Sequence, residues 1–190
     1  GCARNDVVPT VELREDLAGY HRTVTTSDET AQKYFDQGLT LYYGFNHEAA
    51  IAAFEQAAAL DSNCAMAYWG RAISAGPNIN NPLMDSAACL AAHEAVSRAV
   101  SLESSSSRVE RALILALRQR YAWPPPENRA SLDSAYADAM RLVHRQFPDD
   151  VDVAALFADA MMNLRPWDLW TPDGLPQPGT PEIVSTIESA

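Results

Sequence analysis

The residue types best suited to catalysis or metal binding occur in this chain without the spacing that either chemistry needs. Three of the four histidines, His21, His93 and His144, have no second ligand at a spacing such as His-x3-His, so the sequence defines no metal site. The chain also lacks a glycine-rich phosphate loop and the nucleophile elbow of hydrolases. These absences predict a non-catalytic protein that needs no cofactor.

The densest group of carboxylates is Asp149, Asp150 and Asp152, at a turn followed by the start of a helical pattern. Negative charge at the first turn of a helix interacts favourably with the helix dipole. We therefore expect these aspartates to stabilise a helix start rather than to act as an acid and base pair.

The remaining polar candidates lie in turn segments. His47 begins a helical pattern, Asn78 and Asn80 stand in a segment bounded by prolines, and Asp168 lies between Trp167 and Trp170. For His47 we expect a capping or packing role, with metal ligation as the alternative. Asparagines in such turns often cap backbone groups, which is the structural alternative to ligand binding.

The elements that must position these residues are clearest between residues 31 and 63. Two amphipathic patterns are separated there by a short break at residues 44–46, and positions three, four and seven apart share one face of a helix. The first pattern places Tyr34, Gly38 and Leu41 on one face, and the second places Ala50, Phe54, Ala57 and Leu60 on another. Each half is therefore predicted to be a helix with one buried stripe.

The same unit recurs along the chain. Tyr68 follows Tyr34 by 34 positions, whereas Ala92 follows Ala50 by 42 and Tyr136 follows Ala92 by 44. The additional residues fall in the segments 76–84 and 122–128. A fourth unit begins with the apolar pattern of residues 151–162, and a long loop at 165–174 follows it.

The residue types of this unit follow the order aromatic, small, large apolar, turn, Ala, Phe, Ala. This order resembles the tetratricopeptide repeat (TPR), a helix–turn–helix unit of about 34 residues. The segments YFDQGL, YGFNHEAA, AMAYWG and GPNIN also resemble a group of bacterial repeat proteins. The resemblance covers residues 27–190. It implies an all-α solenoid of about 3.5 antiparallel helix pairs with long inserted loops, and a scaffold that binds a protein or peptide partner.

In such a solenoid the turns within the helix pairs lie on one edge, so the four irregular segments are expected to form one rim. The predicted binding residues of this rim are Phe45, Asn46, His47, Asn78, Asn80, Trp123, Trp167, Asp168 and Trp170. The alternative for the three tryptophans is local packing under their own loops. Two alternative functions are a small-molecule or metal-binding module that uses the rim, and the recognition part of a larger enzyme.

The charge of the chain restricts its partners. The formal net charge is −11 and the isoelectric point is about 4.6. Because an acidic surface repels phosphate backbones, nucleic acid is not an expected partner. The sequence contains no run of 18 apolar residues that would span a bilayer.

The first residues suggest where the protein is located. Gly1-Cys2 resembles the processing site of bacterial lipoproteins, in which the cysteine is acylated. Residues 1–26 would then form a tether and an arm laid along the first repeat, and the protein would be exported and periplasmic or anchored to the membrane through Cys2. An arbitrary start of the chain, with a cytoplasmic protein, is the alternative. Cys64 and Cys89 are expected to be unpaired and buried.

Helix ends provide further predictions. Thr26 with Glu29, and Ser107 with Glu110, have the spacing of a capping box, and Thr180 is expected to cap the last helix. The apolar stripe of that helix is still unfinished at Ala190. We therefore expect residues 27–190 to be the N-terminal part of a longer solenoid.

Overall fold

The protein is all-helical in the part of the chain that the computed structural model describes, residues 11–17 and 19–190. In this part there are eight α-helices and no strand beyond two isolated bridges. The helices are α1 Glu29–Tyr43, α2 His47–Leu60, α3 Ala65–Ser74, α4 Ser86–Leu102, α5 Arg108–Arg118, α6 Ala130–Gln146, α7 Val151–Met162 and α8 Thr180–Ser189. Short 3-10 helices occur at Glu15–Leu17 and Glu103–Ser105.

The helices pack in chain order. Each helix contacts the next one, and α3 also packs against α1 and α5. The short turn at residues 44–46 makes α1 and α2 the most closely associated pair. The prediction of an all-α fold is confirmed, and the packing of consecutive helices is consistent with a helical repeat.

The phenyl ring of Phe54 on α2 packs between α1 and α3. A Cβ atom added to Gly38 on α1 would lie 2.8 Å from this ring, and one added to Gly70 on α3 would lie closer still. Phe35 completes the contact, with its ring centroid 5.4 Å from that of Phe54. The two glycines are therefore needed because both neighbouring helices approach the ring more closely than a Cβ atom allows.

The capping box predicted at Thr26 is wrong. The N-cap of α1 is Asp28, whose carboxylate accepts hydrogen bonds from the backbone N–H groups of Thr30 and Ala31, both at 2.8 Å. The hydroxyl of Thr26 donates instead to Asp61 at 2.6 Å. A carboxylate at the N-cap satisfies two free backbone donors at once, so the helix begins at Glu29.

The other two predicted caps have different outcomes. Ser107 and Glu110 form the expected reciprocal capping box at the start of α5. Thr180 is the first residue of α8 rather than its cap, and Gly179, at φ 92°, occupies the N-cap position. The hydroxyl of Thr180 donates to the carbonyl of Leu169 at 2.6 Å, which explains why it does not cap the helix.

Among the described residues before α1, several contact that helix. The hydroxyl of Tyr34 donates to the carbonyl of Val11 at 2.7 Å, and Gln37 accepts a hydrogen bond from the backbone N–H of Arg14 at 2.8 Å. Val24 is buried against the core. These contacts hold the described residues before α1 against that helix.

The arm also reaches α7. Arg22 donates to Asp150 at 2.8 Å and to Asp152 at 2.7 Å, and the hydroxyl of Tyr20 hydrogen-bonds to Asp152. Asp150 is the N-cap of α7, and its carboxylate accepts from the backbone N–H of Val153 at 3.0 Å. The structural role expected for these aspartates is confirmed, but the sequence did not show that they also hold the arm.

The cysteines are as expected where the structure describes them. Cys64 and Cys89 are both unpaired and buried. The prediction that Cys2 is acylated concerns a position outside the described residues. Within the described ranges, no helix combines the length and the apolar character that a bilayer crossing requires.

Candidate functional site

A small pocket opens where the turn after α1, the turn after α3 and the last two turns of α7 meet. Its volume is about 160 Å³. It is lined by Tyr42, Tyr43, Phe45, His47, Asn78, Ala155, Leu156, Asp159 and Met162. The structure thus brings together three of the predicted binding residues, Phe45, His47 and Asn78, and adds a carboxylate from α7 that was not predicted.

Asp159 is the polar centre of this pocket. Its Oδ2 atom accepts hydrogen bonds from the hydroxyl of Tyr42 and from the side-chain amide of Asn163, both at 3.2 Å. Among the described residues, none donates a hydrogen bond to Oδ1. Burial raises the pKa of the Asp159 carboxyl above its ordinary value, although the nearby charge of Arg120 opposes this effect. The pocket therefore holds a partly buried carboxylate whose Oδ1 atom accepts no hydrogen bond from the described residues.

His47 lies beside this carboxylate and between two aromatic rings. Its ring centroid is 5.5 Å from that of Tyr42 and 5.9 Å from that of Phe45. Both ring nitrogens are buried and have no hydrogen-bond partner in the described part of the chain. Burial lowers the pKa of His47, against the opposing charge of Asp159, so the neutral imidazole is favoured. The packing role expected for His47 is present, and its two polar atoms remain available.

The backbone at the mouth of the pocket is strained. Phe45 has φ 59°, in the left-handed region that bulky residues rarely adopt. The turn is fixed by hydrogen bonds from the N–H of Phe45 to the carbonyl of Tyr42 at 3.0 Å and from the N–H of Asn46 to that of Leu41 at 2.9 Å. The Phe45 side chain is 51% exposed. Strain of this kind is often retained at functional sites, where it holds a side chain in place.

A buried arginine fixes the turn that carries Asn78. Arg120 is only 1% exposed, and its Nη2 atom donates to the carbonyl of Pro77 at 2.8 Å. Its guanidinium carbon lies 4.7 Å from the ring centroid of Tyr136, a cation–π distance. Arg120 lines a different cavity, next to the loop at residues 122–127. It therefore acts on the pocket in two ways, through the backbone of the turn and through its charge near Asp159.

The asparagines of the rim have mainly local roles. The side-chain oxygen of Asn78 accepts hydrogen bonds from the backbone N–H groups of Asn80 at 2.9 Å and Asn81 at 3.0 Å. This is the capping role that was the structural alternative for Asn78. Asn80 and Asn46 are exposed, and Asn46 precedes α2 without a side-chain capping hydrogen bond.

The three predicted tryptophans are on the surface. Trp123 is 44% exposed, Trp167 78% and Trp170 53%, whereas Trp69 belongs to the core. None of these three side chains belongs to the buried core. Trp167 also has a positive φ of 61°, as Phe45 does in the turn after α1.

Asp168 lies apart from the pocket. Its carboxylate accepts hydrogen bonds from Arg165 and from Gln177, both at 3.2 Å, within its own loop. It lines a separate cavity between the end of α7 and α8. Asp168 and Asp159 therefore line different cavities.

Sequence reasoning missed Tyr42, Asp159 and Asn163. One signal was present, because Asp159 is the only charged residue between positions 153 and 162, a segment that is otherwise apolar. A charge inside a buried stripe needs a partner, and this often marks a site. Among the described residues, no group of three or more histidine, cysteine, aspartate or glutamate side chains is arranged to hold a metal ion.

Comparison with known proteins does not add an identity to this geometry. No family model, curated protein or solved structure shows a significant match to the chain.

Proposed function

We propose that this protein is a non-catalytic helical-repeat scaffold of the tetratricopeptide type that binds a protein or peptide partner through its inserted loops. The observation that carries the proposal is the exposure of Trp123, Trp167 and Trp170 on loops that join well-packed helices. Loops held by a rigid scaffold commonly carry binding residues.

The energetics of tryptophan support a docking role. Leaving a large aromatic surface in water is unfavourable, and buried tryptophans dominate many protein interfaces. Trp123 is followed by three prolines, and Trp167 is preceded by Pro166. Because prolines restrict the backbone before binding, these loops lose less conformational entropy when a partner orders them.

The repeat architecture supports the same proposal. The 34-residue recurrence of Tyr34 and Tyr68 and the packing of each helix against the next are both typical of stacked helix pairs. A solenoid of this kind presents its loops on one edge, where a partner can contact several of them. We further propose an envelope location, with the chain anchored through an acylated Cys2, and mass spectrometry of the native N-terminus tests this part.

Quantitative capture from a bacterial envelope fraction tests partner binding. Wild-type protein and a Trp167→Ala/Trp170→Ala variant are compared with a Leu142→Ala control, since Leu142 is a large apolar side chain that is 64% exposed on α6. We expect a partner that the wild type and the control retain and the tryptophan variant loses, because hot-spot tryptophans contribute about 2 kcal/mol or more. Equal recovery by all three proteins would contradict the proposal.

A second candidate function is small-molecule binding, which the pocket around Asp159 favours. Of the polar rim residues first considered for it, His47 and Asn78 line this pocket, whereas Asp168 lies in a separate cavity. A thermal shift screen with small polar ligands and divalent metals tests this function, since a ligand that binds only the folded state raises Tm.

A further inference from the structure

We propose that the pocket around Asp159 binds an alkylammonium group, with the Asp159 carboxylate as counter-ion and the rings of Tyr42, Tyr43 and Phe45 as walls. This inference goes beyond partner binding through the tryptophan loops and does not depend on it. The group can belong to a small free amine or to a lysine side chain, and the chemistry of recognition is the same.

The carboxylate determines the sign of the ligand's charge. Asp159 faces the pocket, its Oδ2 atom is occupied by Tyr42 and Asn163, and its Oδ1 atom has no donor among the described residues. An ammonium group placed against Oδ1 would compensate the charge that burial leaves poorly solvated. An anionic ligand would be repelled at the same position.

The aromatic walls favour a cation over a neutral donor. The ring centroids of Tyr42 and Tyr43 are 5.8 Å apart, and His47 links Tyr42 to Phe45 through edge contacts. A cation is attracted to an aromatic ring within about 6 Å of its centroid, so one placed among rings this close can interact with several of them. Aromatic residues combined with a carboxylate form a suitable environment for methylated or primary ammonium groups.

No cationic side chain lines the pocket and competes with the ligand. His47 is the one basic side chain among the lining residues, and its burial favours the neutral imidazole. Arg120 lines a different cavity and donates to the carbonyl of Pro77, and its nearby charge offsets only part of the effect of burial on the Asp159 carboxyl. The lining residues therefore add no fixed positive charge that would repel an ammonium group.

The size of the pocket limits the ligand. Its volume of about 160 Å³ is below the 300–1,000 Å³ that is typical of sites for drug-sized ligands. It corresponds to the liquid volume of about five water molecules at ~30 Å³ each. The pocket therefore fits an ammonium head group or the end of a lysine side chain, and it excludes a nucleotide.

The decisive experiment compares a cation with its neutral isostere. Choline and 3,3-dimethylbutan-1-ol have nearly the same shape, and only choline is charged. We titrate each into the folded protein and measure Kd by NMR chemical shift changes. We expect choline to bind more tightly than the alcohol by about tenfold or more, because the alcohol lacks the interaction with the carboxylate and most of that with the rings.

Two variants distinguish binding of choline at Asp159 from nonspecific attraction of the cation to an acidic protein. Asp159→Asn keeps the shape of the side chain and removes its charge, and we expect choline affinity to fall by about tenfold or more. The control is Asp138→Asn, whose carboxylate is highly exposed on α6, and it should bind as the wild type does. If Asp159→Asn fails to fold, Phe45→Leu, which removes one wall, should weaken choline binding instead.

Further probes distinguish the two sources of the ammonium group. Tighter binding of choline assigns the pocket to a free quaternary amine, and tighter binding of Nα-acetyl-lysine amide assigns it to a lysine of a partner. Three results would overturn the inference. The first is equal affinity for choline and its neutral isostere, and the second is undiminished choline binding by both pocket variants. The third is no binding of any ammonium probe at millimolar concentration. The Trp167→Ala/Trp170→Ala variant should bind choline normally, so failure of the partner-binding proposal remains a separate result.

Discussion

The hydroxyl of Tyr42 donates to the carboxylate of Asp159 at 3.2 Å and joins α1 to α7 across 117 positions of sequence. The next residue on α1, Tyr43, donates to Asp152 on the same helix at 2.7 Å. Two consecutive tyrosines of α1 thus bind two carboxylates of α7. Both tyrosines also line the Asp159 pocket.

The first prediction concerns how much the ionised carboxylate of Asp159 lowers the stability of the folded protein. Burial raises the pKa of Asp159 in the folded protein, so the folded state binds the proton more tightly than the unfolded state does. Stability therefore falls as the pH rises from the ordinary carboxyl pKa through the raised one. Asp159→Asn removes this loss, and we expect a higher Tm than that of the wild type at pH 7.

Thermal unfolding between pH 3 and pH 8 checks this expectation. The Tm gain of Asp159→Asn should decrease toward acidic pH, where the wild-type carboxyl is protonated and also uncharged. Asp138→Asn, on the exposed surface, should show no such trend. A lower Tm for Asp159→Asn at pH 7 would mean that the carboxylate stabilises the fold, contrary to the argument from burial.

The second prediction concerns the ion pair that holds the arm to α7. The side chain of Arg22 is largely buried between those of Asp150 and Asp152. Arg22→Met leaves two carboxylates without their partner, and we expect a loss of about 3 kcal/mol in the free energy of unfolding, measured with urea. The control is Arg14→Met, because the pair of Arg14 with Asp16 is exposed and should contribute nothing measurable.

The same pair makes stability depend on acid. Burial alone would raise the pKa of Asp150, but its hydrogen bonds and the charge of Arg22 outweigh this and lower it. The stabilisation is therefore complete above the ordinary carboxyl pKa and is lost as the pH falls through the lowered value. The wild type is expected to lose unfolding free energy below pH 4, and the Arg22→Met variant should lose less. If the two proteins lose the same amount, the ion pair of Arg22 with Asp150 does not cause the acid dependence.

The third prediction concerns the packing around Phe54. Because the ring is held between Gly38 and Gly70, it cannot move away from a new methyl group on either side. We expect Gly70→Ala to lower the free energy of unfolding by about 1–3 kcal/mol through overpacking. Gly19→Ala is the control, since nothing lies within 4 Å of its added Cβ atom. Equal stability of the two variants would show that the helices separate without cost.

The fold was predictable where its causes are local. The apolar stripes of α1 and α2 repeat at helical spacing within one short segment, so periodicity alone indicated both helices. The caps at Thr26 and Thr180 were not predictable, because Asp28 and Gly179 compete for the same positions. Periodicity cannot decide such competition between neighbouring residues.

The candidate site was predictable only in part, for a similar reason. Phe45, His47 and Asn78 were predicted because the repeat pattern implies that the turns within helix pairs lie on one edge. Asp159 and Tyr42 were not found, because their meeting depends on how α7 lies across α1, and these helices are not neighbours in the chain. Contacts between helices that are far apart in the chain depend on how all the intervening helices pack, and a local sequence pattern does not contain this information.

The last prediction concerns the strained turn of the pocket. In the sequence Gly44-Phe45, the glycine has an ordinary φ of −79° and the phenylalanine has φ 59°. Glycine adopts positive φ without a steric penalty, whereas alanine does not. We therefore expect Phe45→Gly to be more stable than Phe45→Ala by about 1 kcal/mol, although both variants lose the same ring.

Urea unfolding of both variants, with Gly44→Ala as the matched control, measures this difference. Gly44→Ala should be neutral or slightly stabilising, by up to about 1 kcal/mol, because its backbone is compatible with a side chain and an added Cβ atom comes no closer than 3.4 Å to its neighbours. If Phe45→Ala were as stable as Phe45→Gly, the turn would not hold a positive φ at position 45. We expect Phe45→Gly to be more stable than Phe45→Ala and both variants to bind choline more weakly than the wild type. This combination would show that Phe45 serves the pocket rather than the turn.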